Sequence, residues 1–222
     1  MEAKRIAAER AVDDVRDGMI VGLGTGSTAY YAIQRLGRLV QQGLSIQAIA
    51  TSLQSEQLAT QLGIPLVSFS EMTELDLTID GADEVDSAFN LIKGGGGALL
   101  REKIVAAASK QLTIVVDEHK VVRQLGKFAL PVEIVKFGYE ATIRKLFQLG
   151  CEPILRARDG ELYVTDNGNY IVDCSFNQIA APVELHRELN LIPGVVDNGL
   201  FVGMTKKVIV GYDNGDVQVL ES

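Results

Sequence analysis

Residues 75–103 read LDLTIDGADEVDSAFNLIKGGGGALLREK and contain the strongest structural signals of the chain. It opens with the alternating apolar residues Leu75, Leu77 and Ile79, a pattern that is typical of a strand. Acidic residues, a run of glycines and the start of a predicted helix follow at once. Open α/β sheets place compact polar sites of this kind at the carboxyl ends of their strands. The stretch therefore predicts an α/β sheet with a polar site at one edge.

Length and charge limit the classes of protein to consider. The chain has 222 residues, which is enough for one large domain or two small ones. It is 47% hydrophobic and 23% charged, as expected of a soluble globular protein. The net charge of −8 argues against a nucleic-acid surface, although a few local donors can still bind a small anion. No apolar run approaches the roughly 20 residues of a membrane span.

Cysteine and histidine are scarce. Cys151 and Cys174 are the only cysteines in the sequence and form no CxxC motif, so we expect free thiols and a cytoplasmic location. With only two histidines, a His/Cys metal cage is not expected. Residues 1–5, which read MEAKR, open a predicted helix and lack the apolar centre of a signal peptide.

The first half of the chain alternates strands with helices. Such alternation is typical of a parallel, doubly wound sheet of the Rossmann-like kind. The strands are predicted over residues 19–23, 46–51, 64–67, 75–80 and 112–116. The helices are predicted around Ala8–Val15 and Ala29–Leu36 and over residues 55–62 and 98–109.

The pattern changes near Gly126. Strands are predicted over residues 130–135, 151–157, 170–176 and 195–202, and helices over residues 139–149 and 182–189. Their order is the β-α-β-β-α-β of a small ferredoxin-like α+β domain. A hairpin over residues 207–220 comes later and is expected to return to the first domain. We therefore predict a catalytic domain over residues 1–126 plus 204–222, and a second domain over residues 127–203 that makes the oligomer contacts.

Gly24–Thr28, which reads GTGST, joins a predicted strand to a predicted helix. Glycines expose backbone N–H groups, hydroxyls add donors, and a helix N-terminus brings positive partial charge, so the segment suits a phosphate. It is neither a Walker loop nor a dinucleotide fingerprint. On its own it fits a tight turn with Ser27 or Thr28 as an ordinary N-cap equally well.

Lys93 precedes four successive glycines. Each glycine costs about 1 kcal/mol relative to alanine in a regular element, so four together need a reason. In the functional interpretation, the glycines let the backbone approach a ligand closely, so that its N–H groups hold an oxyanion. In the structural interpretation, they form a flexible linker. Glu102 lies early in the next predicted helix, where it complements the helix dipole or acts as a base. It lies off the apolar stripe predicted for this helix, which is formed by Leu100, Ile104, Ala107 and Ala108.

Acidic residues follow the strand that ends at Asp80. Asp-Gly is a strong turn signal, so Asp80 and Asp83 have an ordinary structural interpretation. Asp83, Glu84 and Asp86 would also supply oxygen ligands to Mg²⁺, but the sequence context of known magnesium loops is missing. Lys120 follows another predicted strand and either reaches an anion or lies in solvent.

Four motifs together resemble the type A ribose-5-phosphate isomerase family. They are Gly24–Thr28, Asp80–Asp83, Lys93–Gly96 and Arg101–Lys103. The resemblance runs nearly end to end, and the four motifs in this order are specific, whereas each alone is weak. Gly97 is a local departure, at a position where another small residue is expected.

The resemblance implies interconversion of D-ribose 5-phosphate and D-ribulose 5-phosphate, in the pentose phosphate and carbon-fixation routes, without a metal or an organic cofactor. It implies that Glu102 moves the proton between C2 and C1, and that Lys93 stabilises the enediolate together with the Gly94–Gly96 backbone. Asp80 and Asp83 would handle the sugar hydroxyls and ring opening. Further substrate contacts are implied for Thr25, Gly26, Ser27, Thr28, Gly81, Ala82, Gly94, Gly95, Gly96, Lys120 and Lys4.

The resemblance also implies a homodimer or homotetramer that binds neither nucleic acid nor membrane. Proton removal next to a carbonyl by a carboxylate suits a chain with few histidines and one well-placed glutamate. Three alternatives stay open: an amino-sugar-phosphate isomerase/deaminase, a sugar-phosphate-sensing regulatory domain, and a CoA transferase relative with Glu102 as nucleophile.

Overall fold

The computed structural model describes residues 1–221, and contacts along the chain divide it into two compact units. The first unit comprises Met1–Ala82, Arg101–Val121 and the chain from Met204 onwards. The second comprises Asp83–Leu100 and Val122–Gly203. Within residues 1–221, no helix combines the length and the apolar character needed to cross a bilayer.

The first unit is built on a six-stranded sheet whose neighbours are parallel, except for one antiparallel pair at the edge. Numbered in chain order and given in sheet order, its strands are β15 (Val217–Glu221), β14 (Thr205–Gly211), β6 (Leu112–Asp117), β3 (Leu77–Asp80), β1 (Ile20–Leu23) and β2 (Gln47–Ala50). Its helices are α1 (Glu2–Val12), α2 (Ser27–Gln41), α3 (Leu53–Gln61), most of α4 (Leu99–Ala107) and the 3-10 turn Glu118–Lys120.

The central strands of this sheet are buried on both faces. Every residue of β6 is buried, as expected of a parallel strand covered by helices on each side. Helix α1 reaches the sheet through a face of alanines, and a Cβ on Gly211 would lie 1.9 Å from the carbonyl oxygen of Ala3. This close approach fixes α1, and with it Lys4, against β14.

The second unit contains a four-stranded antiparallel sheet covered by two helices. In sheet order the strands are β12 (Val195–Asn198), β7 (Leu130–Ile134), β11 (Tyr170–Ser175) and β8 (Glu152–Leu155), with helices α5 (Tyr139–Gln148) and α6 (Pro182–Asn190). A separate three-stranded sheet consists of β13 (Leu200–Phe201), β5 (Leu91–Ile92) and β4 (Glu84–Val85). Strands β9 (Ala157–Arg158) and β10 (Glu161–Leu162) form a two-stranded hairpin.

The predicted fold class is confirmed: a mainly parallel sheet is combined with a β-α-β-β-α-β domain. The C-terminal hairpin returns to the first sheet as predicted, because β14 pairs with β6. The strand predicted over residues 195–202 is two strands that Gly199 separates into different sheets. The strand predicted over residues 64–67 is reduced to one bridge between Ala48 and Leu66.

The boundary of the second unit differs from the predicted one, because residues 83–100 and 122–126 group with residues 127–203. Strand β5 pairs with β13, and the Val122 N–H donates to the Val85 carbonyl at 2.8 Å. The buried carboxylate of Glu84 accepts the N–H groups of Gly126 and Phe128 at 2.7 and 2.6 Å. Strands of two residues are too short to give a periodic signal in the sequence.

Candidate active site

Asp80 ends β3 beside the turn that follows β1, its parallel neighbour in the first unit. Its carboxylate is buried, and Oδ1 accepts the N–H of Thr25 at 3.1 Å and that of Gly81 at 2.7 Å. A Cβ on Gly24 would lie 2.2 Å from the same oxygen, so only glycine lets the chain pass here. The pairing of β1 with β3 therefore brings Asp80 and the GTGST turn together.

The hydroxyl of Thr25 belongs to a network that fixes this turn. Its Oγ1 lies 2.8 Å from both Thr51 Oγ1 and Ser52 Oγ. Ser55 Oγ donates to the carbonyl of Gly24 at 2.6 Å. The sequence did not point to these three partners, because they follow β2 and belong to no motif. The network holds the backbone of the turn in place.

The turn leads directly into α2. Gly26 occupies the N-cap position with φ 100°, and the helix begins at Ser27, so the alternative that Ser27 or Thr28 is the N-cap is wrong. Ser27 is instead the first helical residue, and Lys4 Nζ lies 3.1 Å from its Oγ. An ammonium, a hydroxyl and the amides of a helix N-terminus therefore lie together, a combination that suits an anion.

A second cation lies at the same end of the sheet. Strand β6 ends at Asp117, which caps the following turn by accepting the N–H of His119 at 3.1 Å and lies 3.8 Å from Lys4 Nζ. Lys120 is the last residue of that turn and is half-buried. Because the carboxyl ends of parallel strands meet at one edge, Lys120 is placed at the edge where β1 and β3 end.

Glu102 lies in the first turn of α4 and is buried, with 4% of its surface exposed. The predicted stripe of this helix was wrong, because Ile104 is 49% exposed. The buried residues are Leu99, Glu102, Val105 and Ala106, so the glutamate lies on the inward side of the helix. Burying a carboxylate is costly, and such a position indicates a function rather than a solvated helix start.

Lys93 is the corresponding buried cation of the second unit, with 2% of its surface exposed. It follows β5, and its N–H donates to the Gly199 carbonyl at 2.9 Å. Its Nζ lies 5.5 Å from the centre of the Phe201 ring, within cation–π range. Fully buried lysines are rare, so its placement also needs a reason beyond packing.

The glycine segment is a tight turn and not a flexible linker. Gly94 and Gly97 have φ values of 103° and 85°, and the N–H of Gly97 donates to the Gly94 carbonyl at 2.9 Å. The N–H of Gly95 donates to Asp83 Oδ2 at 2.8 Å. Asp83 is therefore held by the loop, and the Gly95 amide is already engaged by that carboxylate.

The alternative of a magnesium site at Asp83, Glu84 and Asp86 finds no support in the structure. Each of the three carboxylates accepts hydrogen bonds from a different set of backbone amides. The Asp86 carboxylate accepts the N–H groups of Ala88 and Asn90. Across residues 1–221, these three are not gathered into a cluster that would hold a metal ion.

The remaining predicted substrate-contact positions are Gly81 and Ala82, which follow β3 and are half-buried.

Comparison with known proteins decides the family. The sequence model of ribose 5-phosphate isomerase A (phosphoriboisomerase A) matches residues 47–215. The chain belongs to the ribose 5-phosphate isomerase A family. Ribose-5-phosphate isomerase A of Bacillus mycoides is 56% identical over 97% of this chain and 98% of its own length. The Bacillus thuringiensis relative is 58% identical over the same shares.

Solved structures of ribose 5-phosphate isomerases have the same fold. That of Methanocaldococcus jannaschii superposes with a TM-score of 0.93 at 43% identity, covering 99% of this chain and 98% of the other. The Plasmodium falciparum structure gives a TM-score of 0.95 at 43% identity, covering 99% and 97%. A D-ribose-5-phosphate isomerase in complex with phospho-erythronic acid gives 0.94 at 39% identity, with the same coverage.

Proposed function

We propose that this member of the ribose 5-phosphate isomerase A family interconverts D-ribose 5-phosphate and D-ribulose 5-phosphate, with Glu102 as the base. The observation that carries the proposal is the burial of Glu102 on the inward side of α4. Aldose–ketose isomerisation needs a proton removed from the carbon next to a carbonyl. A carboxylate shielded from water is suited to that step, and the first turn of a helix stabilises its negative charge.

One carboxylate serves both proton transfers. C1 and C2 are adjacent and the enediolate between them is planar, so a base that takes a proton from one carbon reaches the other. General-base catalysis contributes roughly 10²–10⁴-fold. Removal of a proton leaves negative charge on the sugar oxygens, and this charge needs a partner.

Lys93 and the glycine loop are proposed to supply that partner. The buried ammonium of Lys93 and the backbone of Gly94–Gly96 stabilise the enediolate oxygens. Because the Gly95 amide is donated to Asp83, the amides of Gly94 and Gly96 are assigned to the oxyanion. Preorganised donors of this kind usually make the largest single contribution to catalysis.

The phosphate end of the substrate is assigned to the first unit. The amides at the start of α2, the hydroxyls of Ser27 and Thr28, and the ammonium of Lys4 form the binding surface, with Lys120 as a further cation. Thr25 holds the turn in place, because its N–H donates to Asp80 and its hydroxyl bonds to Thr51 and Ser52. Asp80 and Asp83 act on the sugar hydroxyls and on ring opening.

We further infer that the protein works in the cytoplasm as a homodimer or homotetramer and requires no metal. Exposed large apolar side chains on the second unit support the oligomer. Phe137 is 95% exposed, Leu191 is 80% exposed and Phe147 is 64% exposed. Light scattering after size exclusion tests the assembly. A monomer at micromolar concentration would contradict it.

The decisive experiment is an isomerisation assay on the purified protein, with and without EDTA. Ribose 5-phosphate should be converted to ribulose 5-phosphate at the same rate in both. If EDTA abolished the activity and added metal restored it, the proton-transfer route would be contradicted. Ammonia release from glucosamine 6-phosphate in place of isomerisation would favour the deaminase alternative.

A further inference from the structure

We propose that Arg156 is a positioning residue for the glycine loop, defined as Lys93–Gly97, and that it keeps the Gly96 amide directed towards the substrate and the Gly95 amide directed towards Asp83. The inference rests on the proposed function of that loop in binding the enediolate. All the residues that carry it belong to the second unit.

Arg156 contacts the carbonyl side of the loop. Its Nη1 donates to the carbonyl oxygens of Gly94 at 2.9 Å and Gly95 at 3.3 Å. Only 12% of the arginine side chain is exposed. A guanidinium in this position neutralises two successive carbonyl dipoles with a single charged group.

The guanidinium is itself held in a fixed orientation. Asp173 on β11 accepts from Arg156 Nε at 2.9 Å through Oδ2 and from Nη2 through Oδ1. The backbone N–H of Arg156 donates to the Ile171 carbonyl at 2.8 Å and continues the pairing of β8 with β11. A bidentate pair on a sheet fixes both the position and the plane of the guanidinium.

Because the peptide bond is planar, fixing the direction of a carbonyl also fixes the direction of the N–H of the next residue. In a trans peptide, the carbonyl of one residue and the N–H of the next point in opposite directions. Holding the Gly94 carbonyl therefore directs the Gly95 N–H away from Arg156, where it donates to Asp83 Oδ2 at 2.8 Å. Holding the Gly95 carbonyl directs the Gly96 N–H away from Arg156 as well. Because the Gly95 N–H is engaged by Asp83, the Gly96 N–H is the amide that Arg156 directs towards the oxyanion.

Tyr163 completes the support and explains the fourth glycine. A Cβ on Gly97 would lie 2.1 Å from the Tyr163 hydroxyl, so the tyrosine closes this end of the loop. The hydroxyl also donates to the Gly96 carbonyl at 3.4 Å, and the Arg156 guanidinium carbon lies 5.8 Å from the centre of the ring. Arg156 and Tyr163 thus form one wall on the carbonyl side of the loop.

Loss of Arg156 should therefore lower kcat without weakening substrate binding. Removing one oxyanion donor costs roughly 10²–10³-fold in kcat. Arg156 acts through such donors, so we expect Arg156→Ala to lower kcat by about 10- to 100-fold. Because the phosphate is assigned to the first unit, we expect KM to stay within about twofold. Arg156→Lys keeps the positive charge but loses the planar, bidentate guanidinium. Its kcat should lie between those of the wild type and Arg156→Ala.

The matched control is Arg158→Ala. Arg158 is exposed on β9, and its guanidinium carbon lies 4.9 Å from the Tyr163 ring centre. It therefore shares the aromatic contact, and its loss should leave kcat unchanged. Steady-state kinetics with ribose 5-phosphate, thermal unfolding of each variant and rescue of Arg156→Ala by millimolar guanidinium make up the experiment.

Rescue of kcat by guanidinium in a folded Arg156→Ala variant would support the proposal, because a purely structural defect does not respond to the free ion. A folded Arg156→Ala with wild-type kcat, a loss confined to KM, or an equal loss in Arg158→Ala would overturn it while leaving the isomerase function intact. If Arg156→Ala does not fold, Arg156→Lys with wild-type kcat would overturn it too. A wild-type protein without isomerase activity would overturn both proposals.

Discussion

Asp80 Oδ1 accepts the backbone N–H of Thr25 at 3.1 Å and so joins the carboxyl ends of two neighbouring parallel strands. The contact is possible because residue 24 is a glycine, whose Cβ position would fall 2.2 Å from the same oxygen and 2.6 Å from the Asp80 Cα. One backbone position therefore sets the location of a predicted site carboxylate.

Gly24→Ala should displace Asp80 and lower kcat at least 10-fold. The added methyl group must move backbone as well as side chain, and overpacking of this kind costs about 1–3 kcal/mol of stability. Kinetics and chemical denaturation measure both effects. Gly43→Ala is the control, because Gly43 has open space around its Cβ position and φ 108°. It should cost about 1–2 kcal/mol through backbone strain alone and leave kcat unchanged.

Glu102→Gln should abolish turnover, with a loss of at least 10²–10⁴-fold in kcat, because the amide cannot accept the substrate proton. Substrate affinity should stay close to that of the wild type, as measured by calorimetry on the inactive variant. Glu56→Gln is the control, since Glu56 also lies in the first turn of a helix but is exposed. Near-normal kcat in Glu102→Gln would remove Glu102 from the role of base.

Lys93→Ala should lower kcat by roughly 10²–10³-fold, the usual effect of removing an oxyanion donor. Lys136→Ala is the matched control, because Lys136 is exposed and its Nζ lies 5.3 Å from the Tyr170 ring centre, a cation–π contact like that of Lys93. An effect of Lys93→Ala that appears only in KM would mean that the lysine binds substrate without stabilising the enediolate.

The pH dependence of stability should reveal the pairing of Asp76. Lys110 Nζ donates to Asp76 Oδ1 at 2.8 Å and lowers the pKa of this carboxyl, and the Ile20 N–H bonded to Oδ2 lowers it further. A lowered folded-state pKa means that the stabilisation is present above the ordinary value of 3.8 and is lost as pH falls through the folded-state value.

We therefore expect Asp76→Asn to reduce the free energy of unfolding by about 1 kcal/mol at pH 7. The difference from the wild type should shrink once the pH falls below about 4. Denaturation by urea at several pH values measures it. Glu74→Gln serves as the control, because Glu74 is 58% exposed and lies 3.5 Å from the same lysine, so its removal should have little effect. A difference that persists undiminished at pH 2 would contradict this explanation.

Much of this architecture is readable from local patterns. The alternation of strands and helices predicted the parallel sheet, and the hydrophobic segments after Gly126 predicted the antiparallel domain. Asp80 and Gly24–Thr28 lie next to each other because parallel strands end at a common edge. These features depend on periodicity and on chain order, which a single sequence contains.

Features that depend on contacts between distant segments could not be predicted in this way. Helix α4 has a hydrophobic residue, Ile104, on its exposed side and Glu102 on its buried side, so its apolar pattern indicated the wrong face. Strand β5 has two residues and pairs with β4 and with β13, which lies more than a hundred residues later. Arg156 supports the glycine loop from 61 residues away and belongs to no motif.

The pairing of Glu84 with the amides of Gly126 and Phe128 has a consequence for attempts to recombine this family. A transplant of residues 127–203 alone would move the four-stranded sheet but leave behind the segment that bears Lys93 and its glycines. It would also separate Arg156 from the carbonyls that it holds. Chimaeric isomerases that exchange this module must therefore carry two separate pieces of gene from the same parent.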